Sequence, residues 1–134
     1  IELGFGSALI LGIFCNLLVC IGVFCSVAAK DVTGRMVGAI LPVVVFVIAA
    51  FEHSVANMYY LPTALFAMQV PRYAEAAQAA GIDTSMLTWG NALLSNLLPV
   101  TIGNILGGFA IALVMWNGFL REGKQKLHMK DAAS

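Results

Sequence analysis

Charge is scarce in this sequence. Lysine and arginine together number 7, aspartate and glutamate 7, and charged residues make up 10% of the 134 positions. A soluble domain carries about 25%, so this chain has too few charges to cover a water-facing surface. The formal net charge is zero. That excludes the basic field by which proteins hold nucleic acid, and no nucleic acid partner is expected. Cysteines are few: Cys15, Cys20 and Cys25. Steps of five residues turn each about 140° around a helix from the last. They do not share the single face that a metal site on one helix needs, and are read as small apolar packing residues rather than a disulfide framework. A glycine-rich nucleotide loop, paired catalytic carboxylates, a Ser/His/Asp arrangement and a metal-spaced cluster are all missing from the pattern. No enzyme, metal or cofactor is expected. A b-type haem would want an axial ligand pair, and only His53 lies in the apolar part of the chain, His128 being in the tail.

Long apolar runs are what the sequence has instead. Hydrophobic residues make up 60%, with a mean hydropathy of +0.91. Leu3–Ala29 carries no charge, and about 20 apolar residues span a bilayer, so a transmembrane helix over 3–29 is expected. "KDVTGR" at 30–35 makes a short polar turn. The stretch 36–68 would measure about 50 Å as straight helix, against about 30 Å of hydrocarbon. It is too long for one simple span and too short for two with a loop. A span broken near 50–57, where the polar residues sit, is expected. The segment 71–96 is more polar. "PRYAEAAQAAG" predicts a short helix with Pro71 at its start and Gly81 past its end. Asp83 is read as the cap of a second short helix, with Trp89 at the membrane interface. A last span is expected over 97–120 and a polar tail over 121–134.

Basic residues set the expected orientation. Lys30, Arg35, Arg121, Lys124, Lys126 and Lys130 fall on one side of three spans, and only Arg72 on the other. The first group marks the cytoplasm, so the C-terminus is expected there and the N-terminus outside. That arrangement suits the second half of a longer chain, because Ile1-Glu2-Leu3 shows no signal peptide.

"AAFEHSVANMYY" at 49–60 holds the chemistry. Glu52 and His53 are the only carboxylate and imidazole between Met36 and Pro71, and no other charged residue occurs there. Ionisable residues inside a membrane mark a pathway or a polar network. Adjacent residues diverge by about 100° on a helix, and a local unwinding lets each find its own partners. Asn16, Asn104 and Asn57 are the amides available to them, and Asn16 and Glu52 are expected within hydrogen-bonding reach. Gly103 and Gly107, spaced as GxxxG with Gly108 beside them, predict close helix packing. Gly34 and Gly38 share the spacing near a turn.

"FEHSVANM" at 51–58, "CNLLVC" at 15–20 and "NLLPVTIGNILGG" at 96–108, in this order and spacing, resemble the formate/nitrite transporter family. The resemblance covers nearly the whole chain and corresponds to the second half of a family member. It implies an all-α membrane protein with an aquaporin-like bundle, six spans in two inverted halves, and a pentamer with a pore in each protomer. This chain would supply the fourth span, the broken fifth and the sixth, and would need an N-terminal half or a partner chain. The resemblance makes His53 the central pore histidine, Asn104 the residue that hydrogen-bonds it, and Asn57 the asparagine of the same break. Glu52 and Asn16 become a supporting polar pair, and Phe46 and Val19 apolar constriction residues. A pore lysine of the family would fall just before Ile1. The implied function is proton-coupled, pH-dependent passage of small monovalent weak-acid anions, formate or nitrite, across the inner (cytoplasmic) membrane. The alternative is a non-transporting structural or assembly subunit, in which the polar residues only lock helices together.

Overall fold

The computed structural model describes residues 3–121. Five α-helices form: α1 over Phe5–Ala28, α2 over Val32–Ile48, α3 over Ser54–Ala67, α4 over Pro71–Ala79 and α5 over Leu98–Met115. Helix α5 continues a wider π-helical turn at Asn91–Leu97 and runs into a second at Trp116–Arg121. The described residues are helical and contain no strand. The 24 residues of α1 and the stretch Asn91–Gly118 are long and apolar enough to cross a membrane. The 17 residues of α2 and 14 of α3 make about 25 Å and 21 Å, so neither alone reaches across about 30 Å of hydrocarbon.

The turn between α1 and α2 is tight because its polar residues cap both helices. Asp31 accepts from the Gly34 N–H at 2.8 Å, closing the start of α2, and the Arg35 Nε donates to the Ala29 carbonyl at 3.2 Å, at the end of α1. Gly38 then packs against the Cys25–Ser26 backbone, where a Cβ would stand 3.0 Å from the Ser26 nitrogen. Helices α1 and α5 lie side by side and run parallel. A side chain at Gly103 would collide with the Leu9 carbonyl, one at Gly107 with the Ile13 carbonyl, and one at Gly12 would stand 2.8 Å from the Val100 carbonyl. The GxxxG spacing is thus the contact line of these two helices, and Cys15 and Val100 are fully buried along it. Helix α2 has no buried residue. Its packing is one-sided, against α1.

The long second stretch breaks at 49–53, inside two tight connections. Helix α2 ends when the Phe51 N–H donates to the Phe46 carbonyl and the Ala50 N–H to that of Val47, both at 3.1 Å. This is the double closure of a Schellman motif, and it puts Ala50 at φ 52, in the left-handed region. The same closure ends α4, with Gly81 at φ 68 in the left-handed position. Beyond α4 the expectations shift. Asp83 caps no helix: its carboxylate accepts from the Ser85 N–H at 2.8 Å and closes a local turn. The next helical turns begin at Trp89 rather than Leu97, with the Thr88 hydroxyl accepting from the Asn91 N–H at 3.3 Å. Trp89 meets Phe66 edge-on, ring centroids 5.6 Å apart. The expected tail, beyond its first residue, lies outside the described residues, as do Lys124, Lys126, His128 and Lys130.

Candidate functional site at the helix break

Residues 51–53 lie outside any helix, and His53 has extended backbone, φ −114 and ψ 114. The three side chains reach different partners. Phe51 stacks on Phe14 of α1 at 5.8 Å, and His53 stacks on Phe46 of α2, also at 5.8 Å and 22° between planes. His53 is the N-cap of α3: its Nδ1 accepts from the Ala56 N–H at 3.3 Å, and its carbonyl accepts from the Asn57 N–H at 2.9 Å. An accepting Nδ1 carries no proton, so the neutral ring bears its hydrogen on Nε2. The first N–H groups of a helix lack internal partners. Here Asn104 takes that of Ser54 and His53 takes that of Ala56. Among the described residues no acceptor meets the Val55 N–H, which stays open beside the ring.

Asn104, on α5, is the hub of the break. Its Oδ1 accepts from both the N–H and the hydroxyl of Ser54, at 3.0 and 2.9 Å. Its Nδ2 donates to the Gly12 carbonyl at 2.9 Å and to the Glu52 carbonyl at 3.1 Å. The expected bond from Asn104 to the histidine ring is therefore replaced by bonds to the backbone on both sides of it. With three of its four bonds made to Ser54 and Glu52, on either side of His53, and the fourth to Gly12 of α1, the amide fixes the ring through its neighbours. Asn16 also departs from expectation. Its amide donates to the Asn104 carbonyl at 2.6 Å, on the α1–α5 seam, and not to Glu52.

Glu52 finds its donors elsewhere. Its Oε2 accepts from the Asn57 Nδ2 at 2.5 Å and from the Asn96 Nδ2 at 3.2 Å, and Asn57 also donates to the Asn96 Oδ1 at 2.8 Å. The three side chains close a triangle. Asn96 was not expected here. It opens the motif "NLLPVTIGNILGG", but Pro99 and the polar segment before it suggest a span starting near 97, which leaves Asn96 in a loop. The readable signal is spacing: Asn96, Val100, Gly103 and Gly107 follow i, i+4, i+7, i+11, one helical face, and all four are buried. Val19 lies apart from the break. It lines a cavity of about 250 Å³ between α1 and α2 with Gly22, Val23, Ser26, Ala39 and Val43. Val43 is one turn from Phe46 on α2, so cavity and break share a face of that helix.

A helical membrane protein whose second apolar stretch is broken at a carboxylate and an imidazole is the class these features define. Residues 1–117 match the family described as formate/nitrite transporter. Formate channel FocA of Escherichia coli (strain K12) is 39% identical over 121 residues, 88% of this chain and 42% of that protein. A probable formate transporter of Methanothermobacter thermautotrophicus is 37% identical over 109 residues, 81% of this chain and 34% of that one. A solved pentameric formate channel with formate bound superimposes with a TM-score of 0.75 at 34% identity, over 90% of this chain and 48% of that one. This chain belongs to the formate/nitrite transporter family. It spans less than half the length of each of these relatives.

Proposed function

We propose that this chain is the second half of a channel protomer for small monovalent weak-acid anions, formate or nitrite, with His53 at the narrow point of the path. The observation that carries this reading is His53 at the N-terminus of α3, backed by Phe46, inside a break between two half-length helices. A helix N-terminus bears partial positive charge and open N–H groups that favour anions, and broken helices at membrane depth are tolerated where backbone lines a cavity. The names of the relatives, formate channels and transporters, agree with it. By the same likeness the first half supplies the opposing wall and five protomers assemble, in the inner membrane with the C-terminus cytoplasmic.

Taking a bare anion into a dry constriction costs on the order of 20 kcal/mol by an idealised Born estimate, and several kcal/mol in practice. Protonating the carboxylate of an acid of pKa about 3.5 at pH 7 costs about 5 kcal/mol. Entry as the acid is the cheaper route. The Nε2–H of His53 and the Val55 N–H draw the anion in by donating to it. The proton that neutralises the anion is handed over at the Nε2 of His53 and replaced from water on the more acidic side. Asn104 holds the ring through the backbone, Asn57 and Glu52 stay bonded to each other, and Phe46 and Val19 exclude water. The test is formate and nitrite flux into proteoliposomes of the complete assembly, with and without a proton gradient. Flux that responds to the gradient in the wild type and not in His53→Phe supports the reading. Unchanged gradient dependence in His53→Phe sinks it.

A further inference from the structure

The triangle of Glu52, Asn57 and Asn96 has an asymmetry. Glu52 is held through Oε2 alone; among the described residues Oε1 has no hydrogen-bond partner and the carboxylate no cation. A carboxylate gripped by one oxygen can swing unless its donors are themselves fixed. Asn57 is a poor anchor by itself, because it belongs to the same break, five residues on. Asn96 is different. It comes from the long helix that ends the described chain, is only 4% exposed, and bonds both other members, donating to Glu52 and accepting from Asn57. It sits in the wide turn Asn91–Leu97, eight residues before Asn104 on the same helical rod. That rod thus grips residue 52 twice, by its carbonyl through Asn104 and by its carboxylate through Asn96.

We propose that Asn96 is a positioning residue for permeation: it tethers the Glu52 carboxylate to the last helix, so that the only acidic charge near the break stays with its amide partners and does not turn toward the incoming anion. The inference rests on the anion-channel reading above and deepens it. Without Asn96 the backbone at 52–54 stays in place, because Asn104 still holds the Glu52 carbonyl and both donors of Ser54. The carboxylate and Asn57 are released together. A freed charge one residue from the ring then opposes anions at the ring or captures its Nε2–H, and in a low-dielectric site either effect is large.

The experiment is a double-mutant cycle in the complete assembly, reading formate flux in proteoliposomes for wild type, Asn96→Ala, Glu52→Gln and the double variant. Asn96→Ala is expected to lower flux about tenfold with Glu52 present and less than about twofold in the Glu52→Gln background, since residues that act through one another are not additive. Asn96→Ser, which keeps a donor, should recover part of the loss. An equal loss in both backgrounds, or no loss, overturns the proposal: Asn96 would be a packing residue only. Infrared spectroscopy gives a readout that needs no transport. The carboxylate band that vanishes in Glu52→Gln should shift in Asn96→Ala, and an unmoved band also overturns the proposal. Wild-type assembly without formate flux would instead sink the channel reading, leaving the band shift to decide the tether.

Discussion

The Asn104 side-chain oxygen accepts two hydrogen bonds from Ser54, one from its N–H and one from its hydroxyl, and so pins the first residue of α3 to α5. This pair closes the gap that the helix break opens. Buried polar groups cost about 1–3 kcal/mol when left unmatched. Removing the amide strands both donors of Ser54 as well as the carbonyl of Glu52. Asn104→Leu is therefore expected to destabilise the detergent-solubilised assembly by about 3 kcal/mol, seen as a lowered midpoint of thermal unfolding. Asn104→Asp keeps the acceptor for Ser54 but turns a carboxylate oxygen toward two carbonyls, and should be no better tolerated. A wild-type midpoint in either variant would remove Asn104 from its place as hub.

Ala50 is the described residue other than glycine with positive φ. A side chain in the left-handed region costs about 1–2 kcal/mol, and glycine escapes that penalty. Ala50→Gly should raise the unfolding midpoint, by about 0.5–1 kcal/mol after the extra entropy of the unfolded glycine is counted. Ala50→Val should lower it. If the glycine variant unfolds earlier than the wild type, the turn at 49–51 does not have the left-handed geometry described.

The α1–α5 seam leaves no room at two positions. A Cβ at Gly103 or Gly107 would run into main-chain carbonyls of Leu9 and Ile13, which cannot rotate aside as a side-chain tip can. Overpacking of this kind costs about 1–3 kcal/mol. Gly107→Val should reduce the yield of assembled protein in size-exclusion chromatography, whereas Gly90→Ala, where a Cβ meets nothing within 4 Å, should leave it unchanged. Equal behaviour of the two would place the helix contact elsewhere.

His53 caps α3, and under the channel reading it also hands a proton to the anion. Asparagine is a good N-cap and does not titrate; phenylalanine keeps much of the ring and cannot cap. His53→Asn should hold stability within about 0.5 kcal/mol while abolishing the pH response of formate flux between about pH 5.5 and pH 7.5. His53→Phe should lose the pH response and also about 1 kcal/mol of stability with the cap. A pH response that survives in His53→Asn assigns the proton to another group.

Much of this architecture was legible in one dimension, and the reason is local in each case. The lengths of the apolar runs say how many times the chain can cross a bilayer, and a run near 50 Å must bend or break. Gly103 and Gly107 announce a close helix contact because nothing else at that spacing lets two backbones touch. Gly81 announces the end of α4, since glycine is the residue that a left-handed closure prefers. Ala50 performs the same closure without any such sign, so only its neighbours' polarity hinted where α2 would stop. The choice of partners was not legible at all. Four asparagines stand within reach of a buried carboxylate and an imidazole, and any of them has the donors to serve. Which one meets Glu52 depends on how α1, α3 and the last helix are rotated about their own axes. That rotation is set by the glycine seam and by the wide turn at Asn91–Leu97, which send Asn16 to the Asn104 carbonyl, Asn104 to the backbone beside His53, and Asn96 to the carboxylate. Sequence fixes which groups must be satisfied in an apolar medium; the packing of the helices decides by whom, because a hydrogen bond forms only over about 3 Å and only along its own direction.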